Sequence, residues 1–342
     1  MSARTQTKDL FDVVAVMSAD QAGGAGLRCV QSDGMGILLA PHTPQSGFKR
    51  LLEQAAGGAK TKAKQALVGA QAQLERLHRS GDVLPVQPGP PISLRTAERA
   101  LIANAPVLAA ALKGVAGREQ FQVQVLWDQP QVMKRFRDSP EIAALRSAKD
   151  VSPVQLMSAL DRLRQRLAAE FEDMLTPAQQ DHTSLPLDPE AGMILNMASL
   201  VRRSDTAKLE AALEQIDAVW PEGLRIRMIG PAPAAAFATL RLTEISRTER
   251  DKALATLGLT GDPTLAEVRA TRRAALLSGH PDVSQTPSNL EATSAASTLF
   301  EQVDTLSRRL VAAGHSADGP WPRFEVLRDE GQALSSGHSR AA

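Results

Sequence analysis

Apolar residues recur along this chain at two alternating spacings, every second residue and every third or fourth, which predict short strands between long helices. Residues 10–17 read as a first strand and residues 36–40 as a second, after a Gly-rich turn. Residues 46–79 are helical in pattern, interrupted near Gly57-Gly58. Residues 94–115 form another helix, with Leu94, Ala97, Leu101, Ala105, Leu108 and Leu112 close to one stripe. A strand over 120–127 follows. Ser152-Pro153-Val154-Gln155 has the form of a capping box with Pro at the first helical position, opening a helix that runs to about Leu175. Residues 176–189 read as a polar, Pro-containing loop.

The segment 193–242 carries the clearest pattern. Met193, Leu195, Met197 and Val201 alternate with Ile194, Asn196 and Ala198, a strand apolar on both faces. Leu209, Leu213, Ile216 and Trp220 then recur at helical spacing until Pro221-Glu222-Gly223 stops the helix. Leu224, Ile226 and Met228 alternate with Arg225 and Arg227, a strand with one wet face. Gly230-Pro231-Ala232-Pro233 then reads as a turn into an alanine-rich helix containing Phe237. Trp127, Trp220 and Phe237 are read as core anchors. Beyond Thr243 the pattern is helical. Thr264-Leu265-Ala266-Glu267, after Pro263, is a further capping box. Its helix carries Val268, Arg269, Arg272, Arg273, Ala275 and Leu276, and ends at Gly279 before His280-Pro281-Asp282. Leu299, Val303, Leu306 and Leu310 mark one more helix.

Composition narrows the function classes. The 342 residues suffice for two or three domains. Lys and Arg number 39 against 38 Asp and Glu, so nothing draws the chain generally to nucleic acid or an anionic membrane. Cys29 has no cysteine to pair with, and a reducing, cytoplasmic setting is the simplest expectation. No run approaches the roughly twenty apolar residues of a membrane span, and the polar start Met1-Ser2-Ala3-Arg4 is not expected to be a secretion signal. His42, His78, His182, His280, His315 and His338 are scattered, without HExxH or CxxC, so neither metal nor cofactor is expected. Gly23-Gly24-Ala25-Gly26 lacks the frame of a dinucleotide turn, and Asp181-His182 is read as part of a solvated loop rather than a catalytic pair. Lys134-Arg135-Phe136-Arg137 is read as a solvated basic face. No constellation supports an enzyme.

Three ordered segments resemble the gas vesicle protein family GvpF/GvpL. They are 72–77 leading into Gly81-Asp82-Val83-Leu84-Pro85-Val86, then Phe121-Gln122-Val123-Gln124-Val125-Leu126-Trp127-Asp128, and then Leu200-Val201-Arg202-Arg203 with Leu224-Arg225-Ile226-Arg227 and the run from Gly230 to Phe237. The family's Trp, Pro, Tyr and Ser in that last run are alanine here. The pattern of elements places an N-terminal α+β domain at about 1–118 and a second α+β domain at about 119–243, and the resemblance implies a ferredoxin-like arrangement for the second. It also implies a non-enzymatic accessory protein, located at the gas vesicle or in the cytoplasm. Its partners would be the hydrophobic shell protein GvpA and other gas vesicle proteins, met through Gly230, Pro231, Pro233 and Phe237. A second resemblance covers 244–315. An Arg273 seven residues before His280-Pro281-Asp282, with Ala253-Leu254-Ala255-Thr256-Leu257-Gly258-Leu259 upstream, is similar to a J-domain, a small all-helical module that stimulates DnaK-type chaperones. It departs from that pattern at Arg272, Ser278 and Val283. That likeness implies the alternative function, a DnaJ-like co-chaperone recruiting a DnaK-type chaperone through Arg273, His280, Pro281 and Asp282. Residues 316–342 read as a tail, partly disordered by composition.

Overall fold

The computed structural model describes residues 10–22, 26–42, 59–146, 151–188, 192–278 and 290–328. It divides into two compact units. Unit 1 joins Met1–Gly114 to Leu240–Val326, and unit 2 joins Val115–Thr239 to Leu327–Ala342. Residues 244–315, which the sequence sets apart as a helical module, therefore lie within unit 1.

Unit 1 is built on a four-stranded antiparallel sheet of β1 (Phe11–Ser18), β2 (Arg28–Ser32), β3 (Met35–Pro41) and β4 (Val83–Pro85), in the order β2-β3-β1-β4. The β2–β3 hairpin turns on Asp33 and Gly34, at φ 50° and 74°. Positive φ at both central residues is the turn that matches strand twist, and Asp-Gly is its usual chemistry. Between β1 and β2 lies α1 (Ala19–Ala22), and α2 (Ala59–Ser80) precedes β4. Ala15, Met17, Ala22, Leu38, Leu77 and Val83 form the core under the sheet.

Helix α3 (Leu94–Val115) starts where the Ser93 hydroxyl accepts a bond from the Thr96 N–H at 3.1 Å. It is the spine to which the end of the chain attaches. There β9 (Thr239–Ile245) and β10 (Trp321–Leu327) make a two-stranded sheet, with α8 (Arg247–Thr256), α9 (Leu265–Ser278) and α10 (Leu290–Ala312) between them in sequence. Ala103 of α3 shares a core with Ile245, Val303, Leu306, Leu310 and Trp321. Buried Asn104 donates to Ala100 O at 2.8 Å and Pro322 O at 3.0 Å, and accepts from Phe324 N at 3.0 Å. Arg99 donates to the carbonyls of Ser316, Asp318 and Pro320, and Arg309 to that of Ala103.

Both capping boxes of this region form, Ser246 with Glu249 and Thr264 with Glu267. Helix α8 ends on Gly258 at φ 67°, with Leu259 N bonded to Leu254 O and Gly258 N to Ala255 O, a six-to-one and five-to-two closure. Inside what the sequence reads as a tail, β10 is a strand. Trp321 and Phe324 are buried, and the Trp321 indole donates to Ala317 O at 2.8 Å.

Unit 2 runs β5 (Arg118–Trp127), α4 (Gln129–Arg135), α5 (Pro140–Arg146), α6 (Pro153–Leu175), β6 (Asp181–Ser184), β7 (Met193–Arg202), α7 (Thr206–Val219) and β8 (Leu224–Ala232). Its sheet order is β6-β7-β5-β8 with every pairing antiparallel. Strand, helices, two strands, helix, strand in that order is the ferredoxin-like arrangement. Phe121, Val123 and Val125 of β5 and Leu195, Met197 and Val201 of β7 face Leu163, Leu167 and Phe171 of α6 and Leu209 and Ile216 of α7 in one core. The capping box at Ser152 and Gln155 forms as the sequence predicts.

Two elements of unit 2 correct the sequence reading. Asp181 and His182 belong to β6, an edge strand paired with β7 from Asp181↔Leu200 to Ser184↔Met197, and not to a solvated loop. A short polar edge strand owes its conformation to its neighbour, so its own pattern carries no period. The run after Pro233 is not a helix. Residues 233–238 make two tight turns, with Phe237 N bonded to Ala234 O and Ala238 N to Ala234 O, before β9 begins at Thr239. Six residues between two strands leave no room for a helix to propagate, whatever the alanine content.

Candidate partner-binding surface

Strand β8 closes one side of the unit 2 sheet, so among the described residues its backbone is laddered to β5 on one flank only. Pairing runs Trp127↔Leu224, Leu126↔Arg225, Val125↔Ile226, Gln124↔Arg227, Val123↔Met228 and Gln122↔Ile229. Val123 and Val125 lie in the helix-side core, which puts Ile226 and Met228 on that face and Arg225, Arg227 and Ile229 on the other. Arg225 and Arg227 are exposed, and so are Met228 at 36% and Ile229 at 53%.

The register slips between Gln120 and Gln122, where Gly230 and Pro231 bulge from β8. Gly230 has φ 151°, and a Cβ there would lie 2.7 Å from Gln120 O and 2.8 Å from Phe121 Cδ1. Only glycine fits such a crossing. Gly230→Ala is expected to cost about 1–3 kcal/mol, read as a lowered denaturation midpoint of the full chain; an unchanged midpoint would show that the bulge relaxes freely. The peptide Gly230-Pro231 is cis.

Of the residues singled out from the sequence in this run, Gly230 and Pro231 are exposed, while Pro233 is buried and Phe237 is only 9% exposed. The Gln120 side chain accepts from Ala236 N at 2.8 Å and fixes the 233–238 turns to β5. Arg328 stacks over the Phe237 ring at 5.5 Å, pairs with Asp181 at 2.8 Å and donates to His182 O. Phe237 is thus an internal anchor, and the exposed residues of this stretch are Arg225, Arg227, Met228, Ile229, Gly230 and Pro231. Arg273 is exposed on α9, in the other unit. His280, Pro281 and Asp282 lie outside the described residues.

A second apolar surface was not singled out from the sequence. Val154 and Met157 are 78% and 66% exposed at the start of α6. Met157 also lines a cleft of about 250 Å³ floored by Trp127, Leu160 and Met193. The signal was present as two apolar residues off the buried stripe of an otherwise amphipathic helix. Arg328 left no signal at all, since its partners are far away in sequence.

Among the described residues no group of three or more His, Cys, Asp or Glu is arranged to hold a metal ion. No helix among them is long and apolar enough to cross a membrane.

A family model described as gas vesicle synthesis protein GvpL/GvpF matches residues 10–239. The chain belongs to the GvpL/GvpF family. Its similarity to solved structures includes the crystal structure of the gas vesicle protein GvpF from Anabaena sp. PCC7120, 17% identical with a TM-score of 0.49, over 66% of this chain and 96% of that one. It also includes GvpF from Microcystis aeruginosa, 18% identical with a TM-score of 0.43 and the same two coverages. No curated protein sequence matches the chain. The GvpL/GvpF match stops at Thr239, so β9, α8–α10 and β10 complete unit 1 from outside the matched segment.

Proposed function

We propose that this GvpL/GvpF member is a non-enzymatic accessory protein of gas vesicle formation, a minor component or assembly factor, that binds the small hydrophobic shell protein GvpA. The family match over 10–239 carries the reading. The physical case is that a shell subunit with an apolar face aggregates unless that face is covered until it joins a growing edge. Unit 2 offers exposed apolar groups for such cover at Met228 and Ile229 and at Val154 and Met157.

The test is coexpression of the full-length tagged chain with the shell protein, followed by affinity capture. Shell protein is expected in the eluate, reduced by Met228→Lys with Ile229→Lys or by Val154→Lys with Met157→Lys. Its absence with the unaltered chain overturns the reading. The co-chaperone alternative, through Arg273 and His280-Pro281-Asp282, finds no support among the comparisons. A DnaK-type chaperone in the same eluate, lost on His280→Gln, would bring it back.

A further inference from the structure

We infer that β8 is an acceptor edge for strand addition, and that its occupant is an extended partner segment alternating acidic and apolar residues. The inference rests on the partner-binding reading of unit 2 and specifies how the partner is held. Four observations define the occupant.

The first is the open flank. Among the described residues β8 ends the sheet order, so alternate N–H and C=O groups of 225–229 point away from β5 as they do on any antiparallel edge, while Leu224 N is already bonded to Trp220 O. The second is length. Pro231 has no N–H and the bulge at Gly230 turns the strand, so an added strand stops at Ile229. Residues 225–229 remain, five residues or about 17 Å of ladder.

The third is charge. β8 carries Arg225 and Arg227 and no Asp or Glu, and both guanidinium groups stand on the face away from the helices. Carboxylates at alternate positions of an added strand would lie beside them. The fourth is the opposite face, where Ile226 packs at the rim of the helix-side core and Met228 is exposed next to it. The intervening residues of the added strand would extend that core and are therefore apolar. A second copy of this chain fits less well, because two β8 edges side by side would crowd four arginines into one ladder.

The experiment titrates the full-length chain into a fluorescein-labelled six-residue peptide alternating glutamate and valine, read by anisotropy. Three comparisons define the result: the same peptide with lysine for glutamate, the peptide N-methylated at alternate amides, and the Arg225→Glu/Arg227→Glu chain. Saturable binding is expected for the acidic peptide alone. The double reversal should weaken it at least about tenfold, from two exposed ion pairs lost, and should gain binding of the lysine peptide. That exchange separates lost contact from lost fold. No binding, equal binding by the N-methylated peptide, or indifference to charge reversal overturns the inference, as does dimerisation of the chain through β8 in sedimentation. If shell capture persists while the peptide arms fail, strand addition falls and the gas vesicle reading stands; peptide binding without shell capture gives the reverse.

Discussion

A Trp220→Ala chain is expected to lose about 3–5 kcal/mol of stability. The ring is buried at 6% exposure in the unit 2 core and meets Phe136 edge-on, with centroids 5.4 Å apart and planes at 87°. It also occupies the space over Gly223, where a Cβ would sit 1.8 Å from its Cε2. Chemical denaturation monitored by the fluorescence of Trp127 and Trp321 reads the loss. An unchanged midpoint would mean that the ring contributes no net packing.

Asn104→Leu is expected to cost about 2–4 kcal/mol in unit 1. The substitution keeps the branched side-chain shape, in a larger volume, but leaves Pro322 O and Phe324 N without the partner each now has. Each buried orphan costs about 1–3 kcal/mol. The expected signature beyond a lowered midpoint is early hydrogen exchange at Phe324 N, with exchange in unit 2 unchanged. If exchange at Phe324 stays slow, the two-stranded sheet is held by its apolar contacts alone.

What could be read from the sequence followed the strength of local pattern. Helix α3 matched its expected span, 94–115, because a stripe of apolar residues and a Ser93 cap agree. Helix α6 likewise followed its capping box. Strands β5 and β8 were visible because each has a core-facing period, and β7 because its apolar run is buried on both faces. β2 was missed although Asp33-Gly34 marks its hairpin, since Arg28–Ser32 carries little apolar content of its own. β6 and β10 escape a reading of local pattern for one reason: each is a strand through its neighbour, β7 for one and β9 for the other. The surface followed the same rule. The run from Gly230 was conspicuous by its glycine and prolines, but which of its residues face outward was decided by the bulge on β8 and by the contacts of Gln120 and Arg328.

The interleaving of the two units in the chain fixes an order of events during synthesis. Residues of unit 2 up to Thr239 leave the ribosome before β9 exists, so the ferredoxin-like unit can close while unit 1 is still missing one flank of α3. Between Gly114 and Leu240 the ribosome adds more than a hundred residues, roughly 6–25 s at ordinary elongation rates. For that interval Ala103 and Asn104 have none of the partners they find in the finished chain at 245–324. The Ala103 face of α3 is therefore completed only late in synthesis, when residues 245–321 bring its share of the unit 1 core.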